Sequence, residues 1–293
     1  MELNEYQSQA ARSDQRPLGT PDDLLIPLLG LAGEVGTLLS EYKKRARDGE
    51  GHQRFTEQAK EEFGDILWYL ANLAAKSGIA LEDIAQTNLA KVQGRWLQDK
   101  TAPRYFDDAF PAAEQLPRTF EVTFDFDTST GRSKVAITRD GAAVGNLLTD
   151  NSYVEDGYRF HDAYHFTFAA LLGWSPVTRR NLKRKRKSEP MVDEVEDGGR
   201  SWVIEEGIAA LAFAYAGEHG FFEHTQRVDA ALLKVVRILT QTVEVRVRSP
   251  KEWEHAIVTG SRIFKNLLDH NGGRLSLNLE DRSIAYLPPI AGG

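Results

Sequence analysis

Between Asp22 and Arg45 the apolar residues Leu24, Leu25, Leu28, Leu31, Leu38, Leu39 and Tyr42 recur at helical spacing. One carboxylate, Glu34, stands inside this run, "LLGLAGEVGTLLSEYKKR". A helix with such a stripe must lay it on a partner, so the segment dictates a bundle and not a lone helix. Asp22 and Asp23 near its start and Lys43, Lys44 and Arg45 at its end suit the helix dipole. The partner is a second periodic segment, "TEQAKEEFGDILWYLANLAAKSG", reached through a polar, Gly-containing connection from Asp48 to Gln53 and stopped at Gly78. A third, "LEDIAQTNLAKVQGRWLQ", follows at once, and a short helix around Leu3 to Ala11 precedes them. Together these predict a helical domain over residues 1–99.

Pro103, Pro111 and Pro117 break any period over residues 100–118, which read as a linker. "TFEVTFDF" then alternates strictly, with Phe120, Val122, Phe124 and Phe126 on one face, as in a half-buried strand. "TSTGR" reads as its turn, "KVAIT" as its hairpin partner, and "RLSLNL" near the end as a strand that rejoins them. From Thr149 the chain turns helical, and its last helix opens at Ser249 and Pro250 and closes before Gly272. The fold class is therefore mainly α: a helical bundle, a small antiparallel β element, and a second helical domain that shares residues 119–293 with it.

The 293 residues suffice for two domains. No cysteine is present, which excludes disulfides and thiolate metal sites. No apolar run reaches the about 18 residues of a membrane span, so we expect no membrane partner and a cytoplasmic location. A net charge of −7 argues against a general nucleic-acid binder.

Glu62 and Asp65 in "KEEFGDILWYL" lie three apart and so share a helix face. Carboxylates projecting inward from facing helices of a bundle need a cation between them. Oxygen ligands without histidine or cysteine point to Mg²⁺, or Mn²⁺, and not to zinc.

"GLAGEVGTLLSEYKK", "EEFGDILWYLANLA" and "LEDIAQTNLAKVQGR" resemble the MazG-like, all-α nucleoside triphosphate pyrophosphohydrolases, over roughly Leu25 to Trp96. That family carries a Glu-x-x-Glu pair followed, after a gap, by Glu-x-x-Asp. The resemblance implies Mg²⁺-dependent hydrolysis of a nucleoside triphosphate to the monophosphate and pyrophosphate. It assigns Glu34, Glu62 and Asp65 to the metal and Glu62 to the attacking water. It assigns Lys91, Arg95 and Asn88 to substrate phosphates. Thr37 stands where the second glutamate is expected, and Glu41, about 20° away from Glu34 around the helix, is the substitute the sequence offers. Family members pair through their helices, which implies a homo-oligomer.

In the second half, His161 and His165 stand one helical turn apart, and "DEVEDGGRSWVIEEG" adds Glu194, Glu196, Asp197, Glu205 and Glu206. A second metal site built from His161, His165 and Glu205 is one reading; ordinary amphipathic-helix histidines and solvated acids are the other. The stretch from Leu148 into "RRNLKRKRKS" resembles a C-terminal extension attached to some MazG-like domains. That basic run reads either as an exposed loop or as a receiver of nucleotide or nucleic-acid phosphates. Two alternatives to the enzyme stand beside it: a non-catalytic nucleotide-binding sensor or assembly module with a weakened metal site, and a metal hydrolase working from the C-terminal histidines.

Overall fold

The computed structural model describes residues 1–15, 23–94, 103–129 and 131–289. The chain divides into two units, Met1–Gln93 and Gly94–Gly293. Among the described residues the first is all helix and the second combines helices with one small antiparallel sheet. No described helix is long and apolar enough to cross a membrane.

The first unit is built on a hairpin of α2 (Leu25–Asp48) and α3 (Phe55–Lys76), flanked by α1 (Leu3–Ser13) and α4 (Leu81–Gly94). The hairpin is antiparallel: Gly30, early in α2, meets Tyr69, late in α3, while Tyr42 packs edge-on to Phe55 at the other end, ring centroids 5.1 Å apart. The approach at Gly30 is close enough that a Cβ there would fall 2.3 Å from the Tyr69 Cζ. Gly78 takes a positive φ of 68° just beyond α3, the stop its sequence position predicts. The turn into α4 is then held by α1. Gln7, buried, donates to the Ile79 carbonyl and accepts from the Leu81 N–H, so a side chain from α1 satisfies one of the orphan donors at the start of α4. Trp68 Nε1 donates to Ser13 Oγ, closing α1 on α3.

This unit buries little. Its apolar core comprises Ala10, Ala71 and Leu81, with Leu3, Tyr6, Trp68 and Ile84 partly covered. Several leucines that defined the stripe of α2 are in solvent, with Leu25 51% exposed, Leu28 52% and Leu39 65%, while Leu31 and Leu38 are partly covered. Phe63 on α3 and Leu89 and Val92 on α4 are exposed as well.

The second unit has a five-stranded sheet of order β3-β2-β1-β4-β5, antiparallel throughout. Its strands are β1 (Thr119–Asp127), β2 (Lys134–Arg139), β3 (Ala142–Ala143), β4 (Gly272–Asn278) and β5 (Ser283–Leu287). The alternating segment is the central strand, and it buries Phe120, Val122 and Phe124 as its pattern requires. The C-terminal strand does rejoin it, with Val122 opposite Leu275, and the sheet extends beyond the expected hairpin by the short strands β3 and β5. Gly272 enters β4 at φ 113°, where a Cβ would meet the Phe124 carbonyl oxygen at 2.4 Å.

Against this sheet lies α5 (Asp162–Leu172), every residue of which is buried. Phe166 packs edge-on to Phe124 of β1, and on the other side Tyr164 stacks on Phe264 of α10 (Pro250–Asp269) and bonds Ser261. The helix is buried on all sides, and His161 just before it is buried too, so the amphipathic reading of the two histidines is corrected: there is no solvent face for them to occupy. The remaining helices, α6 (Pro176–Asn181), α7 (Pro190–Val195), α8 (Gly199–Glu218) and α9 (Ala230–Thr240), complete the unit.

The basic run is neither an exposed loop nor a phosphate receiver at Arg179, which opens it, or at Arg186 near its end. Arg179 and Arg186 are each 1% exposed. Arg186 places its five guanidinium N–H donors on Asp197, Glu244 and the Phe106 carbonyl. Arg179 donates to Asp107 at 2.7 Å, and Arg118 reaches the same carboxylate at 2.8 Å. The described part of the expected linker, from Pro103, is thus irregular, as its prolines require, yet anchored through Asp107 and the buried Leu116. Burial alone would raise the Asp107 carboxyl, but the Arg179 charge and the hydrogen bonds it accepts hold it below the ordinary range. The stability it lends is therefore present above about pH 4 and lost as the pH falls through its depressed value.

Asp197→Ala, which leaves the buried Arg186 half unpaired, is expected to destabilise this unit by about 3–5 kcal/mol. The exposed Arg47–Asp48 pair should cost under about 1 kcal/mol when broken. Urea denaturation followed by tryptophan fluorescence compares the two.

Candidate functional site

The hairpin brings Glu34 of α2 opposite Glu62 and Asp65 of α3, and one carboxylate oxygen from each lies within 4.8 Å of the other two. The antiparallel register that pairs Gly30 with Tyr69 makes this meeting unavoidable once both helices form. Glu34 and Glu62 are half-buried and Asp65 is exposed, so the acids line an open groove and are not sunk in a core. The cause is the coverage of α2, whose surrounding leucines face solvent. Desolvation raises the Glu62 carboxyl above its ordinary value, and Glu34, Asp65 and Glu61, all acids, push it further in the same direction. Three oxygen donors from two helices, with their mutual repulsion unrelieved by one another, are a donor set that fits a hard divalent cation.

Glu41 is not brought to this cluster. It is buried at the far end of the hairpin, in an ion pair with Lys44 and 2.8 Å from His52 Nε2. The hydrogen bond from Lys44 holds its carboxyl below the ordinary range against the effect of burial. Two helical turns from Glu34, it closes the α2–α3 connection. Thr37 donates its hydroxyl to the Gly33 carbonyl at 3.1 Å and adds no charge to the groove. Asn88 and Lys91 stand exposed on α4, sharing no described contact with the three acids. Arg95 lies outside the described residues.

A second convergence lies in the other unit. His161, His165 and Glu206 each offer a ligand atom within 4.8 Å of the others. Glu205, named from the sequence, is not the carboxylate that faces the histidines' free nitrogens. It is fully buried, and it accepts from His165 Nδ1 at 2.9 Å, Ser175 Oγ at 2.6 Å and the Val177 N–H at 2.8 Å. Its neighbour Glu206 turns the other way on α8, toward solvent. Burial opposes a charge on His165, but the Glu205 and Glu206 carboxylates outweigh it and raise the imidazole well above its ordinary value. Tyr158 stacks flat on His161 at 4.3 Å; burial and then Glu206 push its phenol up to about 12.

Residues 101–290 match the MazG C-terminal domain, and residues 26–97 match the MazG nucleotide pyrophosphohydrolase domain. The chain belongs to the MazG family. The MazG nucleotide pyrophosphohydrolase match spans all three acids of the groove, and the C-terminal match spans both histidines and the buried arginines. The Gene 37 protein of Mycobacterium phage L5 is 38% identical over 69 residues, covering 23% of this chain and 60% of that protein. No solved structure matches the chain.

Glu206 carried a faint signal in the sequence. In the pair Glu205–Glu206, adjacent residues point about 100° apart on a helix, and here they reach the two sides of the His165 ring, Glu205 at Nδ1 and Glu206 at Nε2. Choosing between them needs the position of Ser175 and Val177, which tertiary structure alone supplies. Glu41→Gln is expected to lower the melting temperature of the helical unit and to leave Mn²⁺ binding at the groove, read by electron paramagnetic resonance, unchanged. A loss matching that of Glu34→Gln would return Glu41 to the metal site.

Proposed function

We propose that this MazG protein hydrolyses a nucleoside triphosphate to the monophosphate and pyrophosphate in the cytoplasm, using Mg²⁺ or Mn²⁺ held by Glu34, Glu62 and Asp65. The observation that carries the reading is the convergence of those three carboxylates across the α2–α3 hairpin, inside the segment that matches the pyrophosphohydrolase domain. When bound, the cation neutralises the phosphate chain and favours departure of pyrophosphate. Glu62, placed beside the cation, is the group to take a proton. It orients a water whose oxygen bonds to the α-phosphorus and accepts that water's proton, while the bond from this phosphorus to the α–β bridging oxygen breaks. Asn88, Lys91 and Arg95 supply donors and positive charge to the phosphates.

The exposed leucines of α2 support self-association, because patches of this kind on a stable protein mark an interface. A second copy covers them in this reading. A nucleic-acid partner is disfavoured by the burial of Arg179 and Arg186. One observation favours a non-catalytic nucleotide sensor as the second reading: Thr37, bonded back to its own helix, leaves the groove one acid short of the family pattern.

Pyrophosphate release from canonical and modified nucleoside triphosphates with Mg²⁺ or Mn²⁺ separates the two. Release should fall by about a hundredfold or more in Asp65→Ala. Nucleotide that raises the melting temperature without being cleaved by the native chain would select the sensor. Sedimentation tests the interface: the native chain should run as a dimer or larger, and Leu39→Glu should shift it toward the monomer.

A further inference from the structure

His165 Nε2 is an anomaly. The residue is 1% exposed, and this nitrogen makes no well-formed hydrogen bond, its near polar neighbour being Glu206 Oε2 at 3.3 Å. A buried nitrogen facing a carboxylate in this loose way is a place where a cation can enter between them. Water can fill such a place in general, but the surrounding atoms are specific in kind and spacing.

In a metal-bound form each histidine would keep its proton on Nδ1 and offer Nε2 to the ion, which takes the place of any proton that Nε2 shares with Glu206. His161 Nδ1 lies 2.9 Å from the Tyr158 carbonyl, which can only accept, so Nδ1 carries the proton. His165 Nδ1 lies 2.9 Å from Glu205, whose oxygens already accept from Ser175 and the Val177 N–H. A carbonyl and a carboxylate behind the ring are the outer partners that metal-bound histidines use to set tautomer and orientation. In front, Glu206 Oε2 lies 3.3 Å from His165 Nε2 and 3.7 Å from His161 Nε2. Bonds of about 2.0–2.1 Å in a tetrahedral site put neighbouring ligand atoms about 3.3–3.4 Å apart. Asp162 Oδ1, 3.2 Å from His161 Nε2, is a further oxygen at the edge of the cluster.

We propose that His161, His165 and Glu206 bind a divalent transition-metal ion of the zinc class, with Glu205 as the residue that positions His165. Two imidazole nitrogens with one carboxylate select such an ion over Mg²⁺, which takes oxygen donors. The Glu206 side chain is 45% exposed, which opens a path for the ion and leaves coordination positions beyond the three protein ligands for water or a substrate oxygen. His165 rises from a helix buried on all sides and His161, itself 7% exposed, stands immediately before it, so both rings are held in packed surroundings.

The test uses the full chain carrying Asp65→Ala, which disables the oxygen-only groove, stripped with chelator and titrated with Zn²⁺ alone by calorimetry. Stoichiometric binding of one ion per chain is expected, with Co²⁺ in its place giving the intense visible bands of tetrahedral nitrogen–oxygen coordination. Adding Glu206→Gln, a half-exposed and conservative change, should weaken Zn²⁺ by about tenfold or more with the circular dichroism unchanged. His161→Ala should do the same, and excess Mg²⁺ should not compete. Absence of stoichiometric Zn²⁺ binding, or equal affinity with and without Glu206→Gln, overturns the proposal.

Discussion

Arg186 and Arg179, shut away from water, tie together parts of the second unit that are distant in sequence. The first is met by Asp197, Glu244 and the Phe106 carbonyl, the second by Asp107 and, more remotely, Asp197. Through them the irregular stretch after Pro103, the turn after α6, the junction of α7 with α8 and the segment leading into α10 share one set of charges. A buried ion pair gains little over well-packed apolar residues, and its cost when half of it is removed is high. Such a network selects one arrangement of these segments, because any other strands a guanidinium or a carboxylate in the interior. Glu205 is oriented in the same unit, against Ser175 and the Val177 N–H at the start of α6.

The first unit works under a different constraint. Its apolar core is small, and the shape of its groove rests on a hairpin closed at one end by Gly30 against Tyr69 and at the other by Tyr42 on Phe55 and Glu41 among Lys44 and His52. The three acids repel one another across this hairpin. A cation bound there therefore adds to the stability of the fold as well as to its chemistry, since whatever binds only the folded state stabilises it.

Much of this was legible in the sequence. Helical spacing located α2, α3 and α10, strict alternation located β1 with the correct buried face, and the i,i+3 relation of Glu62 and Asp65 placed two acids of the groove on one side of α3. The errors have physical origins. Glu41 has the right angular position on its helix, but angle says nothing about distance along the axis or about a lysine one turn away. The acidic stretch just after the basic run, which ends at Asp197, is a neutralising partner the sequence offers, whereas Asp107, 72 residues before Arg179, is one it does not reveal. Glu205 and Glu206 are equivalent in one dimension and opposite in three. For Arg179 and Glu205 the partners are remote in sequence, and charge patterns carry no period that would announce them. Glu34 erred in the other direction: the leucines around it suggested depth, whereas a single partner helix covers only one side of α2.

The full burial of α5 has a consequence for how the two halves respond to time. A helix with sheet on one side and α10 on another opens only when the unit around it opens, so its backbone amides belong to the slowest class to exchange with solvent. The α2–α3 hairpin, with few apolar contacts and much exposed surface, belongs nearer the fast end. His165 on the former, with His161 at its entrance, sits in a fixed frame and loses almost no rotamer freedom in meeting a ligand, whereas the carboxylates on the latter start from a looser frame that a bound ligand must still order.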